Sequence, residues 1–145
     1  MNIYEKTIIR TFSGTDTDAV IALWQACDLT RAWNDPEKDI ERKLGVDDEL
    51  FLVAETQGNI IGSVMGGYDG HRGWINYLAV DPGQRKQGLG KQLMLAVEHR
   101  LLNLGCPKIN LQIRTGNEAV MEFYRAIGFT EDACVSFGKR LIPDE

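Results

Sequence analysis

No apolar run in these 145 residues approaches the ~20 that span a bilayer: the longest, residues 50–54 and 60–65, stop far short. Residues 1–12 lack the apolar core of a signal peptide, so no membrane partner and a cytoplasmic location are expected. Positive charge is in deficit. Sixteen Lys and Arg face 21 Asp and Glu, a net charge of −5, which leaves no global basic field for a nucleic acid. Metal-ligating residues are scarce as well. The three cysteines, Cys27, Cys106 and Cys134, have no C-x-x-C spacing, and only His71 and His99 could complete a site, so no metal is expected. An odd number of scattered thiols suits a reducing compartment, where buried cysteine acts as a small hydrophobe. What the sequence does have is 43% hydrophobic and 26% charged residues, enough for a folded core. Its length predicts a single domain over residues 1–145.

Residues 8–12 read as a strand, and Val20, Leu23, Trp24 and Cys27 recur at helical spacing after a turn at Ser13, Gly14 and Thr15. A loop at Thr30, Arg31, Ala32, Trp33 and Asn34 leads to a second helix. It opens at Asp35-Pro36, with Asp as cap and Pro at the first position, and stops before Gly45. Residues 51–55 and 60–66 form a predicted hairpin around Thr56-Gln57-Gly58-Asn59. After a glycine-rich loop over residues 68–73 come a strand at 74–80 and a helix from about Gly88 to Leu104. That helix carries one apolar stripe of Leu89, Leu93, Val97, Leu101 and Leu104, and Gly105 and Pro107 end it. A strand at 109–113 closes a βαβ unit whose two strands must run parallel. A short helix capped by Asn117 bears Val120, Phe123, Tyr124 and Ile127 and ends at Gly128; a last strand is expected over 134–139. The class is α+β: a mixed, mostly antiparallel sheet with a central parallel βαβ pair and about four helices.

Residues 80–91 carry the chemical signal, because they join the carboxyl end of a parallel strand to the amino end of a helix, where open α/β sheets bind ligands. Gly88 and Gly90 let backbone approach a ligand, and first-turn amides favour an anion such as pyrophosphate. Arg85, Lys86 and Lys91 add positive charge. A dinucleotide fingerprint would need a third glycine where Leu93 stands. A P-loop would need Lys and Ser or Thr where Leu89 and Gly90 follow Gly88. Both readings fail. A glycine-rich helix start with solvated lysines remains the plain alternative.

The spacing Arg85-x-x-Gly88-x-Gly90, preceded by Tyr77-Leu78-Ala79-Val80 and followed by Asn117 and Phe123-Tyr124-Arg125-x-x-Gly128-Phe129, resembles the GNAT superfamily of N-acetyltransferases. The order of elements matches along nearly the whole chain. The stretches Trp33-Asn34-Asp35-Pro36 and residues 66–73 look like the bacterial YpeA-type branch. The resemblance implies the GNAT fold and acetyl-CoA as cosubstrate, its pyrophosphate on Arg85, Lys86, Gln87, Gly88, Leu89, Gly90 and Lys91. It also implies a pantetheine arm paired with backbone at Leu78, Ala79 and Val80. Tyr124 matches the family's general acid toward the departing thiolate, against the alternative of a core aromatic. Asn117 either contacts the cosubstrate or caps its helix.

The sequence departs from better-known relatives at the base. Glutamates that relatives carry in the fourth and fifth strands are replaced by Trp74 and Gln112. Glu49, Asp69 and His71 remain as candidates, with solvated loop positions as their plain reading. Trp33, Tyr68 and His71 are the expected acceptor contacts. The function expected is acetyl transfer from acetyl-CoA to a primary amine, on a small molecule or a protein amino terminus, by direct attack. The rival is a non-catalytic acyl-CoA-binding module, and a homodimer is left open.

Overall fold

The computed structural model describes residues 6–144; the first five residues of the 1–12 stretch and residue 145 of the expected domain lie outside it. Five strands form one sheet in sequence order: β1 (Ile8–Thr11), β2 (Phe51–Thr56), β3 (Asn59–Tyr68), β4 (Gly73–Val80) and β5 (Ile109–Leu111). Neighbours run antiparallel except β4 and β5, which are parallel. The helices are α1 (Thr17–Ala26), α2 (Pro36–Val46), α3 (Leu89–Asn103) and α4 (Glu118–Ala126). This is the expected α+β class, with the parallel pair standing at the sheet's edge.

Local chemistry sets these boundaries. Gln57 and Gly58, with φ of 50° and 80°, make the two-residue turn between β2 and β3 whose twist suits a hairpin. Asp35 accepts hydrogen bonds from the amides of Glu37 and Lys38 at 3.0 and 3.4 Å, and Pro36 opens α2. That helix runs one residue past Gly45 and stops where Asp47 turns left-handed at φ 54°.

Alternation along β2 and β3 divides the core. Leu52, Ala54 and Val64 pack with Ile75 against Leu89, Leu93, Val97 and Leu101 of α3; Phe51, Val53 and Met65 face Val20, Leu23 and Trp24 of α1 and Ile40 of α2. Each fully buried Leu or Val contributes ~1.5–3 kcal/mol of transfer free energy. Glycines bring α3 close: a Cβ on Gly62 would lie 2.9 Å from Leu93 Cδ1, and one on Gly66 2.6 Å from Val97 Cγ2.

Two features of β4 bear on the site. Its ladder to β5 is confined to Gly73, Trp74 and Ile75, so the outer edge from Asn76 onward has no strand beside it. Its register with β3 passes from Met65 opposite Asn76 to Ser63 opposite Ala79, so Tyr77 and Leu78 together face Val64 in a β-bulge. Tyr77 sits there at φ 52°, a conformation that costs a residue with a Cβ of order 1–3 kcal/mol.

The strand expected over 134–139 does not form. Side chains tie this part of the chain to β5 and its flanks: Lys108 and Asn110 donate to Asp132, just before the segment, at 3.0 and 2.7 Å, and Gln112 donates to Ser136 within it. Val135 and Phe137, 81% and 93% exposed, find no core to fill, so alternation alone does not make a ladder here. β5 is correspondingly short, ending at Leu111 rather than residue 113.

Candidate active site

Beyond Val80 the chain builds an amide-rich cradle. Asp81 accepts from Gly83 N at 2.8 Å, starting a 3-10 turn over Pro82–Gln84; Lys86 and Gly88 then adopt left-handed conformations at φ 66° and 83°. No side chain caps α3 at Gly88, so the first-turn N–H groups at Leu89, Gly90 and Lys91 stay open to an anion, and the helix dipole adds to their pull. Arg85 folds back, its Nε donating to the Val80 carbonyl at 3.1 Å, while the Cys27 thiol donates to the same oxygen at 3.3 Å. Arg85 thus fixes the strand end through Nε while its side chain stays exposed. Lys86, Gln87 and Gly88 are exposed, whereas the Leu89 side chain belongs to the core and offers only its amide. A Cβ on Gly90 would sit 3.2 Å from Phe123 Cζ, so glycine there lets α4 close against the start of α3.

The unpaired edge of β4 leads from this cradle toward α4. Leu78 and Val80 pack into the cluster that also holds Tyr124, Val120, Phe123 and Ile113, while Ala79 faces the α1 side. Tyr124, 8% exposed, is wedged edge-on between Phe123 and Phe129, with centroids 5.0 and 5.5 Å away. Burial pushes its phenol up to about 12. None of the hydrogen bonds found among the described residues ends on that hydroxyl, and it is not among the fully enclosed unpartnered polar atoms. Asn117 stands at the N-cap of α4 without a capping bond from its side chain.

On the α1 and α2 side of the sheet, Trp74 and Asn76 of β4 are exposed, and β5 places Asn110 on the same face. Trp33 is 54% exposed, with the Arg114 guanidinium 5.6 Å from its ring centroid. Arg140 donates to Asn34, bringing the carboxyl-terminal segment over the same loop. Sequence reasoning missed Asp39. From α2 it accepts the Tyr77 hydroxyl at 2.6 Å and so ties a carboxylate to the bulge.

Other expected residues are not brought together. The single Tyr68 hydroxyl hydrogen is shared between the carbonyls of Gly70 and Gly105, 3.3 and 3.4 Å away, and its ring packs on the α3 side of the sheet. Asp69 accepts the amides of His71 and Arg72 at 2.7 and 2.8 Å. Those bonds hold its carboxyl below the usual range and mark it as a turn former. This turn precedes Gly73, roughly 17 Å of strand before Leu78. Glu49 lies at the same end, its carbonyl taken by Arg100 at 2.7 Å. Among the described residues no group of three or more His, Cys, Asp or Glu could hold a metal ion, and no helix is long and apolar enough to cross a membrane.

Comparison with known proteins bears on this arrangement. Residues 18–129 match the model of the acetyltransferase (GNAT) family. An acetyltransferase of Pectobacterium atrosepticum is 53% identical over 136 residues, covering 94% of this chain and 96% of that protein. The crystal structure of Ard1 from Thermoplasma volcanium superposes with a TM-score of 0.79 at 28% identity, covering 88% of this chain and 85% of the other. An aminoglycoside N-acetyltransferase solved in complex with CoA gives a TM-score of 0.76 at 23% identity, covering 94% and 95%, which speaks for the fold alone.

Proposed function

The chain belongs to the GNAT family and is an N-acetyltransferase, and on that premise we propose that it moves acetyl from acetyl-CoA to a primary amine by direct attack. The observation that carries this is the continuity of an open amide cradle at the start of α3 with an unpaired β4 edge that ends beside Tyr124. The residues present fit the cosubstrate. Backbone of residues 86–91 would hold the pyrophosphate, the edge at Leu78–Val80 the pantetheine arm, and Asn117 the region near the start of α4. What acetyl-CoA would supply there is an acyl group already activated as a thioester.

The chain's own part is to orient and to hold protons. Tyr124 keeps its phenolic proton across the physiological range and presents it where a thiolate would leave. Trp33 and Arg114 wall the acceptor side, with Asp39 as the carboxylate tied to the bulge. No inherited carboxylate stands at Trp74 or Gln112. A protein α-amine, pKa ~7.7–8, needs less help in losing its proton than a lysine amine at ~10.4, which favours amino termini and weakly basic small amines as acceptors. The family membership and acetyltransferase relatives favour this enzyme over the acyl-CoA-binding module. We place it in the cytoplasm as one unit over residues 1–145, its three free thiols fitting a reducing compartment.

The test combines calorimetry with a thiol-release screen. Acetyl-CoA is expected to bind the wild-type protein, and Gln87→Glu, which puts a negative charge into the cradle without touching the core, to weaken it about tenfold or more. Small amines and short peptides then compete as acceptors for release of free thiol. No binding by the wild type, or equal binding by Gln87→Glu, overturns the cosubstrate assignment.

A further inference from the structure

Among the described residues, Tyr77 is the one residue other than glycine that adopts a positive φ inside a strand; Asp28, Asp47, Glu49, Gln57 and Lys86 do so in loops and turns. Something must hold it there. The Ser63 hydroxyl, fully buried, donates to the Tyr77 carbonyl at 2.8 Å and accepts from Trp24 Nε1 at 2.9 Å. An indole nitrogen can only donate, so the single hydroxyl hydrogen of Ser63 is committed to Tyr77 and the direction of the relay is fixed. Trp24 also stacks on the Tyr77 ring, centroids 3.7 Å apart.

Because Trp24 lies on α1, this relay turns the Tyr77 carbonyl toward the α1 side of the sheet. The peptide that follows is trans, so its N–H, that of Leu78, points the opposite way. That direction is the side of the cluster containing Tyr124, and the β5 ladder has already ended at Ile75. In the GNAT family a strand amide at this place polarises the thioester carbonyl; we propose that Ser63 is a positioning residue for it: with Trp24 behind it, Ser63 locks the Tyr77–Leu78 peptide so that the Leu78 N–H is aimed at that oxygen. This role rests on the acetyl-CoA reading of the site. The donor is set before any substrate arrives, which is where a preorganised dipole is most effective against developing negative charge.

The test reads that hydrogen bond directly and needs no knowledge of the acceptor. Acetyl-CoA labelled with carbon-13 at the thioester carbonyl is bound to the protein, and its stretching band is recorded by difference infrared spectroscopy. The expected result is a band shifted to lower frequency in the wild type. Ser63→Ala and the near-isosteric Ser63→Cys should lose most of that shift, while affinity by calorimetry changes less than about threefold because the cradle is untouched. Ser63→Thr, which keeps the hydroxyl, should recover it. If Ser63→Ala does not fold, Ser63→Cys alone decides, since its thiol fills the same space and donates weakly. A wild-type band in Ser63→Ala or Ser63→Cys, or an unshifted band in the wild type, overturns the positioning role. Absence of acetyl-CoA binding to the wild type is a different failure, that of the underlying assignment.

Discussion

Replacing Tyr124 by Phe removes one hydroxyl and leaves the ring that packs against Phe123 and Phe129. The magnitude comes from acidity. Burial holds the phenol at about 12, whereas a thiol ionises near ~8.5, so complete transfer of the proton to a departing thiolate runs uphill by roughly 3.5 pKa units, or ~5 kcal/mol. The hydroxyl is therefore suited to donate a hydrogen bond to the developing charge and to keep its proton. Such a bond to a charged partner contributes ~1.5–3 kcal/mol, which predicts a rate lower by roughly 10- to 150-fold, at or below the bottom of the ~10²–10⁴ range of full general-acid catalysis. Single-turnover rapid quench isolates the chemical step from product release, and calorimetry should find acetyl-CoA affinity nearly unchanged. A wild-type single-turnover rate would return Tyr124 to the core; a loss beyond ~10³ would refute the acidity argument. A second signature comes from pH. A phenol whose pKa is raised on folding stabilises the native state fully below its unfolded value near 10, and that stability is lost as pH rises through the folded value. Between pH ~10 and ~12 the wild type should thus lose about 3 kcal/mol that Tyr124→Phe does not lose. Tyr77 is raised too, with burial first among its causes, and contributes equally to both proteins.

Two further predictions concern neighbouring residues. Gly90→Ala gains helix propensity of up to ~1 kcal/mol but presses a methyl group on the Phe123 ring, so thermal stability should move little while α4 shifts and the single-turnover rate falls severalfold; an unchanged rate rejects this link. A triple Cys27→Ala, Cys106→Ala, Cys134→Ala variant should lose stability at buried Cys106 and keep its turnover per folded molecule, and mass spectrometry that trapped an acetylated cysteine would overturn direct attack.

Elements with strong periodicity or explicit caps were legible in the sequence. The apolar stripe of α3 from Leu89 to Leu101, Asp35-Pro36 at the start of α2 and Gln57-Gly58 in the hairpin each specify their structure through local chemistry and stand where expected; Leu104, expected in the stripe, lies past the end of α3 and is exposed. Residues 134–139 show the limit: they alternate like a strand, but pairing depends on a neighbour, and β5 ends before it can provide one. The same holds within the site. Gly88, Gly90 and Tyr124 sit in a spacing that can be read along the chain, whereas Ser63 and Asp39 act across contacts 14 and 38 residues apart in sequence, which no periodicity reports. Gly90 carried a second meaning as well, since only the folded chain brings Phe123 against it.

The close approach of the Phe123 ring to Gly90 seats α4, and Tyr124 with it, on the start of α3, and Arg85 pins the strand end at Val80 beside them, so cradle and phenol form one frame. Two fixed points a set distance apart act as a gauge. On the acetyl-CoA reading proposed above, a thioester anchored at one point would present its sulfur to the other only if the arm between them has the right length, so the frame would discriminate by dimension. Short thioesters that lack the anchoring phosphates could visit Tyr124 but would not be held in register with it. On that reading selection of the donor would reside in the spacing between two helices, and selection of the acceptor would be left to the opposite face of the sheet.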